Sequence, residues 1–115
     1  MGFKIDGEYG YIDSADMSAN ITGDPINLAS HMGIALQCVM SGAPEGTIKL
    51  EASCDLTQDA SSVMNWTDIG EVAITASGSK IFNCRNIYYK WIRAVYVATS
   101  GTGALTVNYT VKGEW

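Results

Sequence analysis

A chain of 115 residues is long enough for one hydrophobic core and too short for two. Charged residues make up 17% against 47% hydrophobic, less charge than the roughly 25% of an average soluble domain, which suits a protein that covers part of its surface with neighbours. The formal charge of −5, from 12 acidic and 7 basic residues, argues against nucleic acid as a partner, because that affinity rests on clustered Lys and Arg.

From the N-terminus, residues 1–16 show glycines, aromatics and no sustained period, and read as an arm or loosely docked segment ahead of a β domain over 17–115. The acids among the first thirteen residues stand where a secretory signal would carry basic and then apolar residues. Met17 to Thr22 and Pro25 to Ala29 are predicted short strands. From Gly33 to Ser41 the period is two: Ile34, Leu36, Cys38 and Met40 share a core face, and Ala35, Gln37, Val39 and Ser41 the other. The same logic returns in Thr47 to Cys54, with Ile48, Leu50, Ala52 and Cys54 inward. The intervening Gly42-Ala43-Pro44-Glu45-Gly46 therefore predicts a hairpin loop.

Asp55 to Asn65 is polar and reads as an exposed loop tip, followed by strands at Trp66 to Ile69, Glu71 to Ala76 and Lys80 to Cys84. The strongest β signal is C-terminal, in Tyr88 to Thr99 and Ala104 to Lys112, with Ser100-Gly101-Thr102-Gly103 predicted as a second hairpin turn. Leu105, Val107, Tyr109 and Val111 line one face of the return strand. The strand before it is apolar on both sides, with Trp91, Arg93, Val95 and Val97 on one and Ile92, Ala94, Tyr96 and Ala98 on the other, which predicts a central strand. No window has helical spacing over a useful length, and no apolar run approaches the ~18 residues of a membrane span. The expected fold is all-β: a single jelly-roll-like β-sandwich of seven or eight antiparallel strands with a loose N-terminal arm.

Catalytic and metal chemistry finds no foothold in the residue spacing. His31 is the single histidine, and its neighbour Ser30 is too close in sequence to present its hydroxyl to the ring. Cys38, Cys54 and Cys84 lack zinc spacing and read as free thiols of a reducing cytoplasm, with one disulfide plus one free thiol as the alternative. Asp6, Glu8, Asp13 and Asp16 lack the order of a calcium loop, so neither cofactor nor metal is expected. The Asn-x-Thr triplets at Asn20, Asn65 and Asn108 read as strand composition. Trp66 and Trp91 read as core, although Trp66, Tyr88 and Tyr89 could instead stack on sugar rings. Trp115, last in the sequence, is a candidate contact with a neighbouring subunit.

The segments Ile34 to Gln37, Gly42 to Leu50, Asn65 to Ile69, Tyr89 to Tyr96 and Ser100 to Gly113 together resemble small structural proteins of tailed-phage virions, of the decoration or cement (head-stabilising) type. The resemblance covers residues 26–113. It implies a non-enzymatic virion protein, made in the host bacterial cytoplasm, that sits on the capsid exterior across junctions of the major capsid protein. Its partners would be that protein and copies of itself as a dimer or trimer, with no nucleic acid and no membrane. Candidate subunit contacts are Phe3, Tyr9 and Tyr11 in the arm, Ile92 and Tyr96 on the second apolar face, and Trp115. The alternatives are a carbohydrate-binding sandwich module displayed on the virion, or a tail or baseplate adaptor of the same fold.

Overall fold

The computed structural model describes residues 3–29, 31–55 and 64–114. Seven strands follow in order: β1 (Phe3–Asp16), β2 (Ile21–Thr22), β3 (Ile26–Asn27), β4 (Gly33–Ser53), β5 (Thr67–Ile74), β6 (Gly78–Arg85) and β7 (Trp91–Glu114). All pair antiparallel in one sheet, with β4 and β7 running side by side from Gly33 opposite Lys112 to Ser53 opposite Trp91. The other strands line the two edges of this ribbon: β1, β2 and β3 pair with β7, and β5 and β6 with β4.

Neither predicted hairpin forms. Gly42 to Gly46 and Ser100 to Gly103 lie opposite each other and continue the ladder, so each predicted strand pair is one long strand. At about 3.3 Å per residue the 24 residues of β7 would span ~80 Å if straight. The longest dimension of the molecule is 44 Å. The ribbon therefore folds over at those glycine-rich segments, giving two leaves. The first holds β1, the C-terminal half of β7, the N-terminal half of β4, and β6. The second holds β2 and β3, the other halves of β7 and β4, and β5.

Closing the leaves buries one continuous core. Ile34, Leu36, Cys38, Met40, Leu105, Val107 and Val111 from the first leaf share a cluster with Ile48, Leu50, Ile74, Ile92, Ala94 and Tyr96 from the second. Inward positions are even-numbered along the whole of β4, but change from even to odd in β7. The switch is a bulge: Ala98 pairs with Gly46 and Ser100 with Glu45, leaving Thr99 as the extra residue. Without it, one half of β7 would turn its apolar face to water. The Asn20 side chain accepts from the Ala98 N–H at 2.8 Å, so the interrupted ladder keeps its donor paired.

The segment expected to be a loose arm is instead the edge strand β1, paired with β7 from Phe3 opposite Glu114 to Asp16 opposite Ala104. Three register shifts, after Ile5, Gly10 and Ile12, explain why no period was visible, since each one-residue slip exchanges the two faces. The described residues thus form a single unit with no separate arm over 3–16. Other differences are local. β5 runs unbroken from Thr67 to Ile74, with a bulge at Ile69 closed by the Gly70 N–H donating to Asp68 Oδ1. Cys54, expected inward, lies beyond the end of β4 and is exposed. All three cysteines are free thiols, and the tip of the loop predicted over 55–65 lies outside the described residues.

Two outcomes follow. A Cβ on Gly103 would collide with the Ser41 carbonyl oxygen, whereas one on Gly70 would meet nothing within 4 Å. Gly103→Ala is expected to lower the urea midpoint by the equivalent of about 1–3 kcal/mol, and Gly70→Ala to leave it unchanged or raise it. Burial pushes the Cys38 thiol from 9.0 up to about 11. A proton held more tightly in the folded state stabilises it fully below pH 9.0, and that stabilisation is lost as pH rises toward about 11. Chemical denaturation across this window should show stability falling less steeply in Cys38→Ala than in the parent.

Candidate interaction surfaces

With the inner faces spent on the core, the outer faces of the two leaves are what the molecule offers to partners. On the second leaf the cross-strand rows place Lys49 between Glu71 and Val95, and Glu51 between Asp68 and Arg93. Arg93 Nε donates to Glu51 Oε1 at 2.8 Å, and its guanidinium lies 4.3 Å above the Trp66 ring. Asn65 donates through its backbone N–H and its side chain to the two carboxylate oxygens of Asp55, clasping the base of the loop. Those bonds hold the Asp55 carboxyl below the usual carboxylate range. The Trp91 indole N–H donates to the Asp55 carbonyl at 2.9 Å, tying the same loop to β7. Arg93, Glu51, Trp66 and the Asp55–Asn65 clasp thus form a connected polar network on this face.

The outer face of the first leaf is different. Its cross-strand rows, read over β6, β4 and β7, are Arg85-Gly33-Lys112, Asn83-Ala35-Thr110, Ile81-Gln37-Asn108 and Ser79-Val39-Thr106. Three of the four rows carry no charge. Small residues on the central strand between longer ones on its neighbours leave two shallow depressions of about 440 and 450 Å³, which share Ala35 and Thr110. Ile81 is 65% exposed and Val39 44% exposed, and they sit diagonally across adjacent strands. This face therefore sets an exposed apolar pair among neutral hydrogen-bonding groups.

The residues picked out from sequence scatter over the molecule. Ile92 and Tyr96 are fully buried at 0% exposure in the core between the leaves, which corrects their reading as a contact surface. The second apolar side of that strand is the outer one, with Val95 half-buried and Val97 exposed. Tyr11 sits at a bulge of β1 and reaches from the first leaf to the second. Its hydroxyl donates to the Asp24 carbonyl and accepts from the Ala94 N–H, and its ring meets Tyr109 edge-on at 5.7 Å. Burial pushes that hydroxyl above its ordinary range. Tyr11 is thus a tie between leaves rather than a free contact. The side chains of Phe3, Tyr9 and Trp115 lie outside the described residues.

The proposed sugar-stacking trio is not presented together. Trp66 is half-buried under Arg93 and Tyr89 is packed against the core, leaving Tyr88, at 92% exposure, as the ring fully in solvent. His31 is half-buried between β3 and β4, its backbone N–H donating to the Leu28 carbonyl. Among the described residues no three His, Cys, Asp or Glu side chains gather as a metal site. The residues that sequence reasoning passed over are Gly33, Ala35, Arg85 and Lys112. They are far apart in the chain and become neighbours only through strand pairing.

No family model and no curated protein matches this sequence. Among solved structures, the SPBc2 prophage-derived protein YomS shares the fold with a TM-score of 0.60 and 12% identity, over 98% of this chain and 96% of its own. A chain in the structure of infectious bursal disease virus, Gx strain, aligns with a TM-score of 0.52 and 8% identity, over 96% of this chain and 32% of that one. A chain of the Bacillus endospore appendages, a family of disulfide-linked pili, aligns at 0.48 and 12% identity, over 97% and 89%. At these identities the likeness is one of fold.

Removing the guanidinium from Arg93 uncovers Trp66 and leaves Glu51 unpaired. Arg93→Ala is expected to destabilise the protein by about 1 kcal/mol, since both contacts are partly exposed. Acrylamide quenching of tryptophan should rise in Arg93→Ala, and that rise should vanish when Trp66→Phe is added. An unchanged quenching curve would sink the stacking contact.

Proposed function

We propose that this chain is a non-enzymatic structural protein of a phage virion, one that decorates or cements the capsid exterior by binding across major capsid subunits. The observation that carries the reading is the outer face of the first leaf, a nearly uncharged sheet surface with Ile81 and Val39 exposed among amides and hydroxyls. Fold correspondence with a prophage-derived protein over almost the full length of both chains supports the setting. The sequence resemblance to decoration proteins supports the position on the shell.

A protein of this kind has no need of a pocket. It stabilises a shell by spanning subunit junctions, and a modest contact repeated over a lattice gains strength through multivalency. Neutral donors and acceptors on a rigid sheet suit that task, because they hydrogen-bond across an interface without the desolvation cost of unpaired charges. Three free thiols agree with synthesis in a reducing bacterial cytoplasm.

Cryo-EM of particles carrying the protein is expected to show many copies over the capsid lattice, with the first leaf turned toward the shell. A few copies confined to the tail or baseplate would replace this reading with the adaptor one. In co-sedimentation with assembled shells, Ile81→Asp combined with Val39→Asp should weaken binding by about tenfold or more while thermal stability is retained. Undiminished binding by that variant would overturn the assignment of the face.

A further inference from the structure

We propose that copies of this chain associate head to tail, the Arg85-Gly33-Lys112 row of one copy receiving the carboxylates at the folded end of the next. The proposal rests on the preceding reading only in taking a second copy as a partner.

The receiving site is a saddle made by side-chain size. Gly33 on the central strand pairs with Arg85 on one side and Lys112 on the other, and Ala35 with Asn83 and Thr110. Two strand spacings separate the cations by about 10 Å at the backbone, with only a glycine and an alanine between their rows. The depression of about 450 Å³ that results has no carboxylate in its lining. Both cations are exposed, and neither is ion-paired among the described residues. By register the nearest acids are Asp6, at the β1 bulge beside Lys112, and Glu114, two residues further along β7, and neither belongs to the lining of the depression. An Arg and a Lys straddling a bare floor, with an amide and a hydroxyl in the next row, suit a carboxylate.

The complementary surface lies at the other end of the ribbon. Where the leaves fold over, Asp13, Asp16 and Glu45 are exposed, Asp16 opposite Ala104 and Glu45 opposite Ser100. No Lys or Arg occurs in residues 11–32, 36–48 or 94–111, so β1, β4 and β7 contribute negative charge and no positive charge at the fold, and the nearest cation there is Lys80 of β6, opposite Cys38. Along β7 the distance from Ala104 to Lys112 is ~26 Å, several times the Debye length in physiological salt, so the two patches do not cancel within one molecule. With a net charge of −5, two copies repel each other through most of their surfaces. Bringing the acidic end of one copy to the cationic saddle of another is the approach that reverses that sign. Because the two patches differ, the contact is heterologous and builds a ring or a row rather than a two-fold dimer.

Sedimentation velocity on the intact protein in about 20 mM salt is expected to show concentration-dependent association that is lost in about 500 mM salt. Arg85→Glu with Lys112→Glu should be monomeric at low salt, and so should Asp13→Lys with Glu45→Lys. An equimolar mixture of the two variants should associate again, since each restores the other's missing sign. All four positions are on the surface, and circular dichroism of each variant checks that the fold is kept. A parent protein that stays monomeric at low salt, association indifferent to salt, or a mixture that remains monomeric would overturn the proposal. Binding to shells is read separately, by the Ile81 and Val39 variant in co-sedimentation.

Discussion

Everything in this molecule depends on two backbones passing very close to one another where the β4–β7 ribbon folds over. Gly103 lies against the Ser41 carbonyl, and Gly101, at φ 82°, lies against the Ala43 carbonyl. A side chain at either point would press on the opposite backbone and strain the fold-over. Pro44, buried opposite Gly101, gives up a ladder donor in a central strand, which is tolerated at a distortion of this kind. The fold-over brings the even-numbered face of β4 onto itself, and the bulge at Thr99 lets β7 follow. Burial of the two apolar faces drives the leaves together, and the glycines let the backbones approach closely enough for that closure.

Closure leaves two outer faces of opposite character. On the second leaf, Arg93, Glu51, Trp66 and the Asp55–Asn65 clasp satisfy one another, with Ile69 and Val97 exposed beside them. On the first leaf the outer rows shared by β6, β4 and β7 carry charge only at the Arg85-Gly33-Lys112 end, with Ile81 and Val39 in the open. A rigid platform of this kind suits docking against another protein, because the sheet holds the contact groups in place and little conformational entropy is lost on binding. The Tyr96 hydroxyl, buried without a hydrogen-bond partner among the described residues, belongs to the core and not to either surface.

Tyr11 joins the two leaves at the edge where β1 would otherwise hold only to β7. Its hydroxyl serves both the Asp24 carbonyl and the Ala94 N–H, and its ring fills the space left open by Gly23. This tie comes from the segment with the poorest strand pattern in the chain. The same bulge that spoils the alternation points the ring across to the other leaf.

The amino-acid sequence by itself determined the all-β class, the inward faces of Ile34 to Met40, Ile48 to Ala52 and Leu105 to Val111, and the free thiols, because alternation and residue spacing are local properties of the chain. Only the tertiary structure decided that two glycine-rich segments are bends in long strands and not hairpin turns. Glycine and proline chemistry suits both, and the choice lies in whether each segment's neighbour in space is its own strand or the distant one. The same limit hid β1, whose bulges erase the period, and misplaced Ile92 and Tyr96, whose strand is apolar on both sides. It also hid the Arg85-Gly33-Lys112 row, since three residues on three strands become a surface only through register, which is a relation between segments that no single segment carries.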